Sequence, residues 1–163
     1  MPERDKRAAD EDLKQARAER ERRKLALVLV RDGRVLATGE RGGVVDLLEI
    51  LKRKDAASFR GASLSDRVVG KAAAMLARCG GFARVHGALM SDAAARALDD
   101  GAPRIPHSAD RRVPRILNRT GDDLCPMEKL SLPHAEPQRC RRDLEAFVAK
   151  AGGPPPPPPG ERR

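Results

Sequence analysis

The stretch Cys125-Pro126-Met127-Glu128 puts a thiol, a proline and a carboxylate where a helix would begin. Pro126 suits the first helical position, because the N–H it lacks has no partner there in any helix. Glu128 stands three residues after Cys125, the spacing of a capping box, so its carboxylate is expected to reach back to the backbone N–H that opens the helix. Ser or Asn would cap better than Cys. A thiol in that position faces free N–H groups and the positive end of the macrodipole, which favour its anion and hence nucleophilic or anion-stabilising chemistry. The alternative is that Cys125 is a small buried hydrophobe, as free cysteines often are.

Lys71 lies among Gly70, Ala72, Ala73 and Ala74, small neighbours that let a backbone or a ligand come close. It reads either as a lysine whose stem runs past its helix to solvent, or as one aimed into a cleft at an anion. Further along, Arg111, Arg112, Arg115 and Arg119 make the most basic loop of the chain, and that loop runs into Cys125. Fixed N–H groups beside guanidinium forks would form a phosphate or carboxylate site, although a solvated loop has the same composition.

Positioning these groups takes an alternation of strands and helices. Residues 1 to 24 alternate acid and base with little apolar content, so a charged N-terminal extension, helical or disordered and solvated, is expected. The run Leu25 to Val30, then Asp32-Gly33, then Val35 to Ala37 reads as a hairpin turning at Asp-Gly, its first strand apolar on both faces and therefore central. Val44, Leu47, Leu48 and Leu51 form one stripe of a helix from Val44 to about Lys54. A short strand over Gly61 to Leu64 precedes a helix capped at Ser65 or Asp66, with Val68, Ala72, Met75, Leu76 and Cys79 inward and Gly80-Gly81 at its end. Phe82 to Met90 reads as a strand in which His86 is packed or exposed rather than a ligand, followed by a helix capped at Ser91 or Asp92. A last edge strand is expected over Ile105 to Ser108, a loop over 109 to 124, and a final helix over Gln138 to Lys150. Six prolines, Pro154 to Pro159, should form a polyproline II rod of about 19 Å within a disordered tail over 151 to 163. The order implies an α/β fold in three α/β/α layers over residues 25 to 150.

Composition narrows the partners. The formal net charge of +9 is spread thinly along the chain rather than gathered into a face, and Arg outnumbers Lys by 25 to 8. With three Phe, no Trp and no Tyr, the rings on which single-strand binders stack bases are scarce. The longest apolar run, Leu25 to Val30, is too short to span a bilayer, so no membrane association is expected. Three cysteines, no metal-type pairing and no secretory leader point to reduced thiols and a cytoplasmic location.

Two segments are specific enough to name a family. Ser65-Asp66-Arg67-Val68-Val69-Gly70-Lys71-Ala72-Ala73-Ala74, and Ile116-Leu117-Asn118-Arg119 leading to Cys125-Pro126-Met127-Glu128-Lys129-Leu130, together resemble the uncharacterised proteins called domain of unknown function 1893. The resemblance covers about Leu25 to Lys150 and implies a cytidine deaminase-like fold: a mixed sheet of about five strands, with two helix N-termini converging on one pocket. It would place Asp66 and Lys71 on one of those helices and Cys125 and Glu128 on the other. It brings no reaction. The zinc deaminase set, a His two residues before a Glu and a Pro-Cys-x-x-Cys pair, has no counterpart at Gly70-Lys71 or at Cys125 and Glu128, so no zinc or other cofactor is expected.

The expectation that follows is a phosphate-bearing small molecule or nucleotide held between the two helix N-termini. Lys71 and Arg119 would neutralise phosphate, Asp66 and Glu128 would orient polar groups, Asn118 would belong to the ligand-binding set, and Cys125 would stabilise an anion or act as nucleophile. Two alternatives stand beside it: covalent catalysis with Cys125, Lys71 and Glu128 as catalytic candidates, and a non-catalytic adaptor that binds RNA or protein through its basic arm and tail.

Overall fold

A computed structural model describes residues 2–42, 44–53 and 56–151. The polyproline tail lies outside the described residues. The elements in chain order are α1 (Glu3–Arg23), β1 (Leu27–Arg31), β2 (Arg34–Gly39), α2 (Val44–Arg53), a 3-10 turn (Ala56–Phe59), β3 (Ser63–Val69), α3 (Lys71–Gly80), β4 (Arg84–Ser91), α4 (Asp92–Asp99), β5 (His107–Val113), α5 (Pro126–Ser131) and α6 (Pro137–Lys150).

The five strands form one mixed sheet in the order β2-β1-β3-β4-β5. β1 runs antiparallel to both neighbours, while β3, β4 and β5 are parallel. The hairpin turns where expected. Asp32 and Gly33 both have positive φ, 52° and 76°, the backbone of a primed turn whose twist matches the strands it joins. β1 is central and buried on both faces. Its Leu27 and Leu29 enter the main core with α2, α3, α4 and α6, whereas Val28 and Val30 pack with Ala16 of α1 on the other side. This alternation makes the three layers: α1 alone on one face, and on the other α3 at the centre of the remaining helices.

Three local expectations are corrected. The first concerns residues 1 to 24. The helix forms, but it lies across β1, β3 and β4 instead of standing in solvent, with Ala9, Asp12, Ala16 and Arg20 buried. Apolar periodicity could not show this, because the sheet meets α1 largely through hydrogen bonds. Arg20 Nε donates to Ser65 Oγ at 2.9 Å, and Ser63 Oγ donates to the Ala9 carbonyl at 2.9 Å. Asp12 accepts the backbone N–H groups of Asp32 and Gly33, each at 2.9 Å, so α1 also fixes the hairpin turn. Replacing Asp12 by Ala should cost about 1–3 kcal/mol, since two turn N–H groups lose a charged acceptor; urea melts of the variant and its parent measure it.

The second correction moves a boundary. β3 continues through Val69 and α3 opens at Lys71 with Gly70 as the extended capping residue, so neither Ser65 nor Asp66 caps a helix. Ser63, Ser65 and Asp66 are strand residues, paired to β1 across the sheet, and the strong helix formers begin only at Lys71. The third concerns β5, which pairs with β4 from His107 to Val113 and therefore carries Arg111 and Arg112 on an edge strand rather than a loop.

Candidate functional site

The carboxyl ends of the parallel strands are where an open α/β sheet usually presents its chemistry. Here β3 hands over to Gly70 and α3, β4 ends at Ser91, and the chain after β5 passes through Ile116. Glu128, on α5, joins all three. Its Oε1 accepts the Lys71 backbone N–H at 2.8 Å and the Ser91 hydroxyl at 3.3 Å, and its Oε2 accepts the Ile116 N–H at 3.2 Å. The residue is 3 % exposed. The spacing pointed to a carboxylate capping its own helix; instead it caps α3, while the Cys125 N–H that opens α5 donates to the Ile116 carbonyl at 2.9 Å. Ser91 takes part twice, because its Oγ also accepts the Ala94 N–H and caps α4.

The positive end of α3 is thus closed by an internal anion. Gly70 permits the approach: a Cβ there would come 3.1 Å from Glu128 Oε2. Beside this junction is a cavity of about 60 Å³ lined by Val44, Val68, Gly70, Ile116, Cys125 and Met127 among others. Cys125 is half-buried on its wall. The space matches one or two water molecules and its lining is mostly apolar, so a nucleotide does not fit.

The Lys71 side chain leaves this junction on the other flank. Its Nζ donates to the Leu132 carbonyl at 2.6 Å, in the turn between α5 and α6. There it lines a groove of about 380 Å³ together with Arg78 of α3, Arg96 and Ala97 of α4, Asp100, and His134. Arg78 and Arg96 have no carboxylate within 4.0 Å among the described residues, whereas His134 is held by Asp143 at 2.8 Å. Partial burial, with the neighbouring Arg96 charge adding to it, holds the Lys71 ammonium below its ordinary pKa against the opposing pull of Cys140 and Glu128.

The remaining expected site residues lie apart from this groove. Asp66 is 2 % exposed in β3, where burial, with Asp46 nearby, pushes its carboxyl up to about 7 against the bond it accepts from the Val68 N–H. Asn118 shapes its own loop, its Oδ1 accepting the Gly121 N–H at 2.8 Å and its Nδ2 donating to Asp122 at 2.9 Å. Arg119 is exposed on that loop with no ion pair among the described residues. The two segments that carried the resemblance therefore do meet, but through backbone groups at Glu128 and not through a ring of side chains. Arg78 and Arg96 were not singled out from the sequence. For Arg78 a signal existed: seven residues after Lys71, it falls on the same face of one helix. Among the described residues no three His, Cys, Asp or Glu side chains converge to hold a metal ion, and no helix is long and apolar enough to cross a membrane.

The profile of a family described as Domain of unknown function (DUF1893) matches residues 15–148. The chain belongs to the DUF1893 family. The crystal structure of a DUF1893 family protein (TM1506) from Thermotoga maritima superposes on this DUF1893 chain with a TM-score of 0.74 and 27% identity, covering 83% of this chain and 88% of that one. No curated protein matches the sequence. Membership and likeness together establish the five-stranded α/β fold of this DUF1893 protein and leave its activity to be argued from the site.

Proposed function

We propose that the protein binds a phosphate-bearing small molecule, nucleotides included, in the groove between α3, α4 and the α5–α6 turn. The observation that carries this reading is the crowding of Lys71, Arg78 and Arg96 in one groove, where the two arginines have no acidic partner among the described residues. Like charges repel there; burial lowers the Lys71 pKa first and the Arg96 charge adds to it. A multivalent anion relieves the repulsion, and guanidinium forks match phosphate oxygens in pairs. Lys71 Nζ has three protons and uses one on Leu132, which leaves two for a ligand. The groove displaces the expected location, since the α3 N-terminus is already occupied by Glu128.

Calorimetric titration with pyrophosphate and a panel of nucleoside mono-, di- and triphosphates tests the reading. Removing one charge-assisted contact costs about 1.5–3 kcal/mol, so Lys71→Ala should weaken binding at least tenfold. Arg96→Ala should act in the same direction, and Cys125→Ser should bind as the parent does. Equal binding by Lys71→Ala, or none by the parent across the panel, overturns the proposal.

A further inference from the structure

The underside of α1 holds a group that the groove does not use. His86, on β4, is 1 % exposed beneath the helix. Its Nδ1 lies 2.7 Å from Ser108 Oγ on β5. Its Nε2 lies 3.3 Å from Asp110 Oδ1 but off hydrogen-bond geometry, and among the described residues it is the buried side-chain atom left without a partner. That same Asp110 oxygen already accepts Arg17 Nη2 of α1 at 3.2 Å.

Every neighbouring element contributes to the charge around the ring. From α1 come the guanidiniums of Arg17 and Arg20, the latter bonded to Ser65 at 2.9 Å and 3.9 Å from Glu21. From β5 comes one carboxylate, Asp110, whose side chain is 47% exposed. From β3 comes Ser65, uncharged and directly paired with His86 across the sheet. On β4 itself the nearest charge is Arg84, neutralised by Asp10 of α1 at 2.9 Å. A neutral imidazole suits this setting. A protonated one sets a third cation, on a ring buried from solvent, beside Arg17 and Arg20, and the carboxylate nearest to it, Asp110, is already shared with Arg17.

The element free to respond is α1. Its buried face consists of Ala9, Asp12, Ala16 and Arg20, so little apolar area holds it down and most of its attachment is polar. We infer that His86 is an acid-sensitive latch for α1: protonation of the ring frees the helix from the sheet and uncovers Val28 and Val30 of β1. Burial and the Arg17 charge keep the His86 pKa below the ordinary 6.5, despite the opposing Asp110 carboxylate. A base whose pKa is depressed in the docked state stabilises docking above the ordinary value, and that contribution fades as the pH falls below it.

Hydrogen exchange on the full chain reads this directly, with the protection of residues 3–23 compared with that of α3 in the same sample at pH 7.5 and pH 5.0, after correction for intrinsic rates. With an undocked imidazole titrating at 6.5, the population of released helix rises by up to about thirtyfold over that interval. The expected result is a loss of α1 protection approaching that factor while α3 stays protected, and no such loss in His86→Gln. Because His86 is buried and its variant is at risk of misfolding, Arg17→Glu on the exposed flank of α1 gives a second reading. A second carboxylate beside the ring pairs with the imidazolium, so its acid-induced loss should shrink several-fold. Unchanged α1 protection in the parent, parallel loss in α3, or a full-sized loss in either variant overturns the latch.

Discussion

Glu128→Ala should lower stability by about 3–5 kcal/mol, among the largest losses available to a single substitution in this chain. The carboxylate binds three donors from three segments that follow different strands: Lys71 N–H, Ser91 Oγ and Ile116 N–H. Removing it leaves two backbone N–H groups in a nearly dry junction, each costing about 1–3 kcal/mol if no water replaces the oxygen. It also uncaps α3, the helix against which α2, α4, α5 and α6 all pack. In urea the midpoint should fall by about 1–3 M at unchanged slope. Glu128→Gln keeps one carbonyl oxygen, but turns an amide donor toward a backbone donor; it should lose about 1–3 kcal/mol. Hydrogen exchange separates the role of the junction from that of the core, because the amides of Lys71 and Ile116 should lose protection before those of β1. If Glu128→Ala melts with its parent, the carboxylate is not what joins these segments.

The physical reasons for what the sequence did and did not disclose are plain at this junction. Pro126 and the stripe of Val44, Leu47, Leu48 and Leu51 act through local rules, the first through a missing N–H and the second through helical period, and both elements form as those rules require. The Asp32-Gly33 turn is legible for the same reason. Glu128 was legible as a capping carboxylate, yet the helix that it caps is 57 residues away in sequence. Spacing identifies the kind of bond, and only the packed chain identifies the partner. α1 shows the other limit. Its attachment rests on Asp12, Arg20, Ser63 and Ser65, polar residues that look alike whether they face solvent or each other. The groove combines the two cases: Lys71 stood out by its small neighbours, whereas Arg96 reaches the same space from α4 and carries no local mark. Asp66 was grouped with Lys71 on one helix because the β-pairing of Ser63 to Val69, set by β1 and β4, has no signature in that short polar run.

Asp66→Asn should stabilise the protein, and by more as the pH rises. The folded carboxyl holds its proton up to a pH of about 7, against an ordinary 3.8 for the same group in the unfolded chain. Between those values the folded state binds the extra proton, so the contribution of this group to stability is complete below 3.8 and is lost as the pH rises through about 7. At 1.36 kcal/mol per unit, the loss reaches about 4 kcal/mol by pH 8, and about 2 kcal/mol of it is already present at pH 5. Asn has the shape of the protonated acid, does not ionise, and keeps an oxygen for the Val68 N–H that Asp66 accepts at 3.3 Å. The gap between variant and parent in paired urea melts should therefore widen by about 2–3 kcal/mol from pH 5 to pH 8. A constant gap would mean that Asp66 titrates as an ordinary carboxylate.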